Sequence, residues 1–142
     1  MSSPAGADNA PGRLRYLSLG WIRALSAEVG ASEHMREVAT HHTVGVTQVV
    51  SGGPEGDVVY HLQVADGNAS FGAGPAEPEH VKMEQDWQTA VDVATGALNA
   101  QEAFIGGQIR LFGDQQKLLD SQPVFGALDA VFAAVRERTD YV

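Results

Sequence analysis

The 142-residue chain contains no cysteine. Disulfides are therefore excluded, and so are thiolate metal ligands and cysteine nucleophiles. Cations are scarce as well. The 9 Lys and Arg stand against 18 Asp and Glu, a formal charge of −9. That balance argues against phosphate backbones and anionic membrane surfaces as partners. No run approaches the roughly 18 apolar residues that a membrane-spanning helix needs. The G-x-G-x-x-G pattern is missing, and Gly72-Ala73-Gly74 lies in a proline-rich loop with no helix behind it. No phosphate cradle is expected there. The opening MSSPAGADNAPG has no apolar core of signal-peptide length. These absences leave a soluble, cytoplasmic, bacterial protein as the expectation. At this length it should be one domain, able to bury roughly 68–70% of its unfolded surface.

What is present changes period along the chain. Residues 1–12 lack apolar periodicity and are expected to be a disordered tail, with one domain over 13–142. Ser18 can cap a first helix, with Leu17 and Ile22 as a hydrophobic staple. Trp21, Ile22, Leu25 and Val29 form its stripe, and Gly30 lies near its end. Ser32 can cap a second, shorter helix. From Thr43 to Val50 the period becomes two, in a β-branched strand. Ser51–Asp57 is a turn cluster. In DVVYHLQV, Val58, Tyr60, Leu62 and Val64 face one way, and Val59, His61 and Gln63 the other. Asp66-Gly67 suits a tight hairpin, and a strand should return near Ala69. Val81 and Met83 alternate with Lys82 and Glu84 in a fourth strand. Asp86 can cap a helix carrying Trp87, Ala90, Val91 and Ala94, which Gly96 ends. Asn99 and Glu102 resemble a capping box, and Gly106-Gly107 stops that short helix. Ile109 and Leu111 then alternate with Arg110 and Phe112 in a fifth strand. Pro123 opens a last helix with a Phe125, Leu128, Phe132 and Val135 stripe. The order implies an α+β fold: a five-stranded, mostly antiparallel sheet covered on one face by short helices.

Reactive constellations are thin. His41 and His42 are adjacent and point apart, which makes a poor chelate. His61 and His80 sit at positions that read as exposed. No metal site is expected. Glu84, Asp86 and Glu102 read as a polar strand face and helix-start charges, and Asp57 and Asp66 as turn residues. Arginines such as Arg136 and Arg138 are scattered near the ends and form no basic groove, so nucleic acid is not an expected partner. Arg110 and Lys117 are within sequence reach of a ligand head group, although solvation explains them more simply.

One segment carries a resemblance. Leu98-Asn99-Ala100-Gln101, then Ala103-Phe104, Gly107, Ile109, Leu111 and Gly113-Asp114, resembles the C-terminal signature of the sterol carrier protein type two family. Thr95-Gly96 matches the end of the preceding helix in that family. The hairpin GDVVYHLQVADG is similar to its second strand and turn, and the element order fits over roughly Val44 to Thr139. Ala100 stands where the family has a proline, and Ala90 where many members carry a bulky aromatic. The resemblance implies a tunnel between sheet and helices that takes fatty acids, their coenzyme A esters or sterols, with no metal and no bound cofactor. On it, Phe104 and Ile105 line or gate the tunnel, Ile109 and Leu111 line it, and Gln101 lies near it. Met83, Trp87, Val91, Phe125, Leu128 and Phe132 complete the candidate lining, each with a plain core role as the alternative.

The expected function is a carrier of a small apolar ligand, not a catalyst, with no stable membrane insertion. The last helix, carrying two phenylalanines, is a candidate lid, so deleting Phe125 to Val142 should abolish or greatly weaken lipid uptake. Two other readings compete. An enzyme or enzyme accessory using the same pocket would show a buried carboxylate or histidine there. A structural or dimerising module would show no cavity at all.

Overall fold

The computed structural model describes residues 13–141, so the expected tail over 1–12 lies outside the described residues. Helix α1 spans Leu19–Ala31 and α2 spans Glu33–Ala39. The Ser18 hydroxyl accepts a hydrogen bond from the Trp21 amide at 3.1 Å, and Ser32 does the same for Met35 at 3.1 Å. Each cap satisfies an amide that the first helical turn leaves without a partner. The expected stripe of Trp21, Ile22, Leu25 and Val29 is the buried face of α1.

Five strands follow in the main sheet: β2 (Val44–Gly53), β3 (Gly56–Ala65), β4 (Asn68–Ala73), β5 (Val81–Asp86) and β6 (Arg110–Gly113). Their spatial order is β4-β3-β2-β5-β6. All neighbours are antiparallel except β2 and β5, which run parallel. Asp66 and Gly67 take φ of 52° and 77°, the left-handed pair that a two-residue hairpin turn between β3 and β4 requires. The chain then crosses the sheet to reach the far side of β2. This crossing, residues 74–80, folds over the face that the helices leave open. Ala76 donates its amide to Thr47 Oγ1 at 2.9 Å, Glu77 to Gln63 Oε1 at 3.0 Å, and Gly45 to His80 Nδ1 at 2.9 Å. Only glycine fits at position 45, because a Cβ would overlap the Pro78 carbonyl. The crossing corrects the expectation for His61 and His80. Both are half-buried, and the His61 ring sits 2.9 Å from the Gly74 carbonyl oxygen. Sequence alternation put them on a polar face but could not show what lies across it.

Register defines the covered face. Val44, Val46, Gln48 and Val50 stand opposite Val64, Leu62, Tyr60 and Val58 on β3. On the other side, Val46, Gln48 and Val50 stand opposite Val81, Met83 and Gln85 on β5. Helices α1 and α2 pack on β4, whereas α3 (Trp87–Thr95) packs on β2 and β5. After α4 (Ala100–Ile105) and α5 (Gln115–Asp120), helix α6 (Gln122–Arg136) lies across α1 and α2. Helices thus cover one face of a mostly antiparallel sheet, as the sequence implies. One feature carries no sequence signal. Strand β1 (Leu14–Arg15) pairs in parallel with β7 (Thr139–Asp140), and the Arg13 guanidinium bonds both Asp140 and the Thr139 carbonyl. Strands of two residues are too short to show alternation.

Candidate functional site

Helix α3 meets the sheet with small side chains. Ala90, Val93 and Ala94 face Gln48 on β2, Tyr60 on β3 and Gln85 on β5, while Phe132, Val135 and Arg136 of α6 form the opposite wall. The small residues leave a cavity of about 440 Å3, within the range of small-molecule sites. Tyr16, Trp21 and Tyr141 complete it. Its depth is set by buried groups: Trp21, Tyr16, Tyr60, Ala90 and Val135. Its rim is set by the exposed Ala133 and Arg136 and the half-buried Tyr141.

The lining is a connected set of rings. Tyr16 lies 4.9 Å from Trp21 with the planes at 87°, and 4.8 Å from Tyr141. Trp21 meets Tyr60 edge-on at 5.5 Å. Phe71 on β4 stands 6.5 Å from Tyr60 and 5.9 Å from Phe132. Such edge-to-face sets hold rigid walls, each pair adding about 0.5–1.5 kcal/mol beyond area burial.

Among the described residues, the polar groups of the cavity are neutral donors and acceptors apart from Arg136. Gln85 Nε2 donates to Gln48 Oε1 at 3.1 Å, and Gln48 Nε2 reaches the Met83 sulfur at 3.4 Å. Tyr16 donates its hydroxyl to the Ala90 carbonyl at 3.4 Å. Burial pushes the Tyr16 phenol well above its ordinary range, with the neighbouring Tyr60 and Tyr141 adding to the effect. Burial alone pushes Tyr60 up. Burial also raises Tyr141, against the opposing pull of the Arg136 guanidinium beside it. All three phenols therefore stay protonated at neutral pH and act as O–H donors. Among the described residues, no carboxylate and no histidine lines the cavity.

A second, more polar cleft lies on the open face of the sheet, between Val49, Ser51, Glu84 and Arg110. Its charges are already paired: Glu84 bridges Lys82 at 3.3 Å and Arg110 at 3.0 Å. Arg110 is thereby held on the face away from the ring-walled cavity, in the solvated role that the sequence favours over a head-group contact. Among the described residues no group of three or more His, Asp or Glu is arranged to hold a metal ion. No helix there is long and apolar enough to cross a membrane.

No family model matches the chain, and no curated protein matches it. Solved structures do. A conserved hypothetical protein from Thermus thermophilus superposes with a TM-score of 0.62 at 20% identity, over 87% of this chain and 90% of that one. A crystal structure of sterol carrier protein 2 gives 0.61 at 21%, over 87% and 98% of the two chains. The fold is that of sterol carrier protein 2. The apo form of sterol carrier protein 2 from Yarrowia lipolytica gives 0.55 at 14% identity, over 80% and 85%.

Within this sterol carrier protein 2 fold, the residues picked out by sequence are spread more widely than expected. Phe132 lines the cavity. Met83, Ile109 and Leu128 are buried in the core around it, with Met83 one contact away through Gln48. Trp87, Val91, Phe104, Leu111 and Phe125 pack half-buried against the core and do not line this cavity. Trp87 reaches it only through Tyr16, at 5.4 Å between rings. Ile105 is 88% exposed. Ala103 is the residue that α4 buries, and a position two residues on is turned about 200° away around a helix. Ile105 accordingly faces solvent and not the cavity. The Gln101 side chain lies outside the described residues. The α6 roof is anchored, since Val124, Val131 and Val135 are buried in the core. Deleting Phe125 to Val142 would therefore remove core together with cavity, so a point substitution at Phe132 is the cleaner test.

Sequence reasoning missed Gln48, Gln85, Tyr141 and Arg136 as lining, and treated Tyr60 and Trp21 only as core. A signal for the glutamines was present. Each interrupts an apolar stripe on the covered face, Gln48 between Val46 and Val50, and Gln85 after Val81 and Met83. A polar residue at an inward register position marks either a satisfied network or a wetted cavity.

Proposed function

We propose that this protein binds a small lipid in the ring-walled cavity and carries it reversibly, the ligand being a fatty acid, its coenzyme A ester or a sterol-like molecule. One observation carries the reading: the space of about 440 Å3 between the covered sheet face and helices α3 and α6. The sterol carrier protein 2 fold supports it, because the same layers frame the space. The lining supports a carrier over a catalyst. Its phenols are kept as acids, and among the described residues no carboxylate or histidine joins them. No bound cofactor is needed for such a role.

The energetics suit exchange. A chain of ~16 carbons gains roughly 13 kcal/mol gross at about 0.8 kcal/mol per methylene. Association costs at least about 4 kcal/mol, and more when side chains are immobilised. The remainder, at most about 9 kcal/mol, corresponds to a constant a little below micromolar at best and to micromolar near −8 kcal/mol. The test is native mass spectrometry of gently purified protein, followed by solvent extraction and titration with a fluorescent fatty acid. Recovery of a lipid, or saturable micromolar uptake, is expected. Protein that comes up empty and also ignores fluorescent fatty acids and sterols overturns the proposal.

A further inference from the structure

The cavity is polar at both ends, and the two ends differ. At depth, Tyr60 is only 6% exposed, yet its hydroxyl finds no hydrogen-bond partner among the described residues. No fully enclosed polar atom there lacks a partner, so this hydroxyl opens into the cavity. Across Gln48, which stands opposite Tyr60 in register, Gln85 on β5 spends an amide hydrogen on Gln48 and keeps its side-chain oxygen for another donor. At the rim, Arg136 is exposed and enters none of the ion pairs among the described residues. Its guanidinium stands beside the Tyr141 phenol. Between the two ends the walls are the edges and faces of Trp21, Tyr60 and Phe132.

We propose that the cavity selects a flat, ring-bearing carboxylic acid with a hydroxyl at the end remote from its carboxylate. The inference rests on the carrier reading and names its ligand class. The Arg136 fork takes the carboxylate with two donors in one plane, and the Tyr141 hydroxyl adds a third. The ring body lies against the aromatic walls, which favour an edge-to-face or offset partner over a flexible chain. The ligand hydroxyl accepts from Tyr60 and donates to the Gln85 oxygen. A saturated acyl chain fills the same space but leaves both groups desolvated and unpaired, which is the arrangement that sites built around hydrogen bonds reject.

The test is calorimetric titration of the full chain with three probes: biphenyl-4-carboxylate, 4′-hydroxybiphenyl-4-carboxylate and palmitate. The hydroxylated acid is expected to bind about tenfold more tightly than its parent, the worth of one well-placed buried hydrogen bond. Tyr60→Phe removes only an unpartnered hydroxyl, so the chain should still fold, and the ratio between the two biphenyl acids should fall to near one. Arg136→Gln should weaken both biphenyl acids by roughly fivefold to tenfold, since a charge-assisted pair at an exposed rim is lost. Equal binding of the two biphenyl acids to the unaltered protein overturns the inference. Binding of palmitate with neither biphenyl acid also overturns it and leaves the carrier reading standing. Binding of none of the three overturns the inference, and overturns the carrier reading as well when extraction finds no lipid and fluorescent sterols are also ignored.

Discussion

Ala90→Leu puts the cavity itself to the test. Ala90 is 4% exposed and lines the cavity from α3, so a larger side chain there has one open direction to grow. Leucine adds three carbons. At about 0.8 kcal/mol each their burial is worth up to about 2.4 kcal/mol gross, and the exchange costs little helix propensity. The same insertion into a filled core forces rotamers and backbone to shift and costs about 1–3 kcal/mol. The sign of the stability change therefore separates a hollow from a packed interior. Urea unfolding followed by tryptophan fluorescence reads it, provided the slope of the transition is unchanged. The expected midpoint is equal to or above that of the unaltered chain. Lipid affinity should move the other way. The new side chain takes space from the ligand worth up to about 2.4 kcal/mol, a loss of up to roughly 50-fold in binding. A variant destabilised by 1–3 kcal/mol that still binds palmitate with unaltered affinity would refute the placement of the ligand in this cavity.

Three further outcomes follow from the contacts described. Phe132→Ala removes a half-buried ring that meets Phe71 at 5.9 Å. It should cost about 2 kcal/mol, below the 3–5 kcal/mol of a fully buried ring, and weaken lipid uptake, both measurable on one preparation by urea unfolding and fluorescent-lipid titration. Thr47→Val keeps the shape of a side chain that is 2% exposed but strands the Ala76 amide it serves at 2.9 Å. A loss of about 1–3 kcal/mol is expected in urea unfolding, and a loss near zero would show that the crossing finds another acceptor. Asp86 caps α3 by accepting from the Thr89 amide at 2.8 Å, and that bond holds its carboxyl below the ordinary value of 3.8. A depressed pKa in the folded state gives stability that is present above 3.8 and is lost as pH falls through the folded value. Asp86→Asn should flatten that acid limb of the stability–pH curve, and an unchanged limb would assign it to other carboxylates.

The layers were legible because they are written in period. Strands β2 and β3 alternate, α1 carries its stripe, and the caps Ser18, Ser32 and Asp86 all stand one residue before the helices they start. Two parts were not legible, for different reasons. The β1–β7 pair joins residues more than a hundred positions apart, and two-residue strands offer no pattern to extrapolate. The parallel placement of β5 beside β2 depends on the path of the crossing, which is set by individual hydrogen bonds with Thr47, Gln63 and Gly45 and not by any repeat.

The site was harder to read than the fold because its residues obey two rules at once. Large apolar residues at inward positions are the ones a core wants, so picking Phe104, Leu111 and Phe125 from their stripes found packing. A cavity is made where the inward residues are too small or too polar to fill the space. Ala90, Val93 and Ala94 on α3 are small, and Gln48 and Gln85 on the sheet are polar, at positions where the surrounding pattern asks for bulk and grease. The informative residues are thus the exceptions to the pattern that reveals the fold. Substituting Gln48 and Gln85 together by Leu tests this directly. The pair bonds mainly to itself and to Met83, so removing both partners together should leave stability unchanged or raise it. A double variant that instead unfolds at lower urea would show that the two amides hold the sheet and not the cavity.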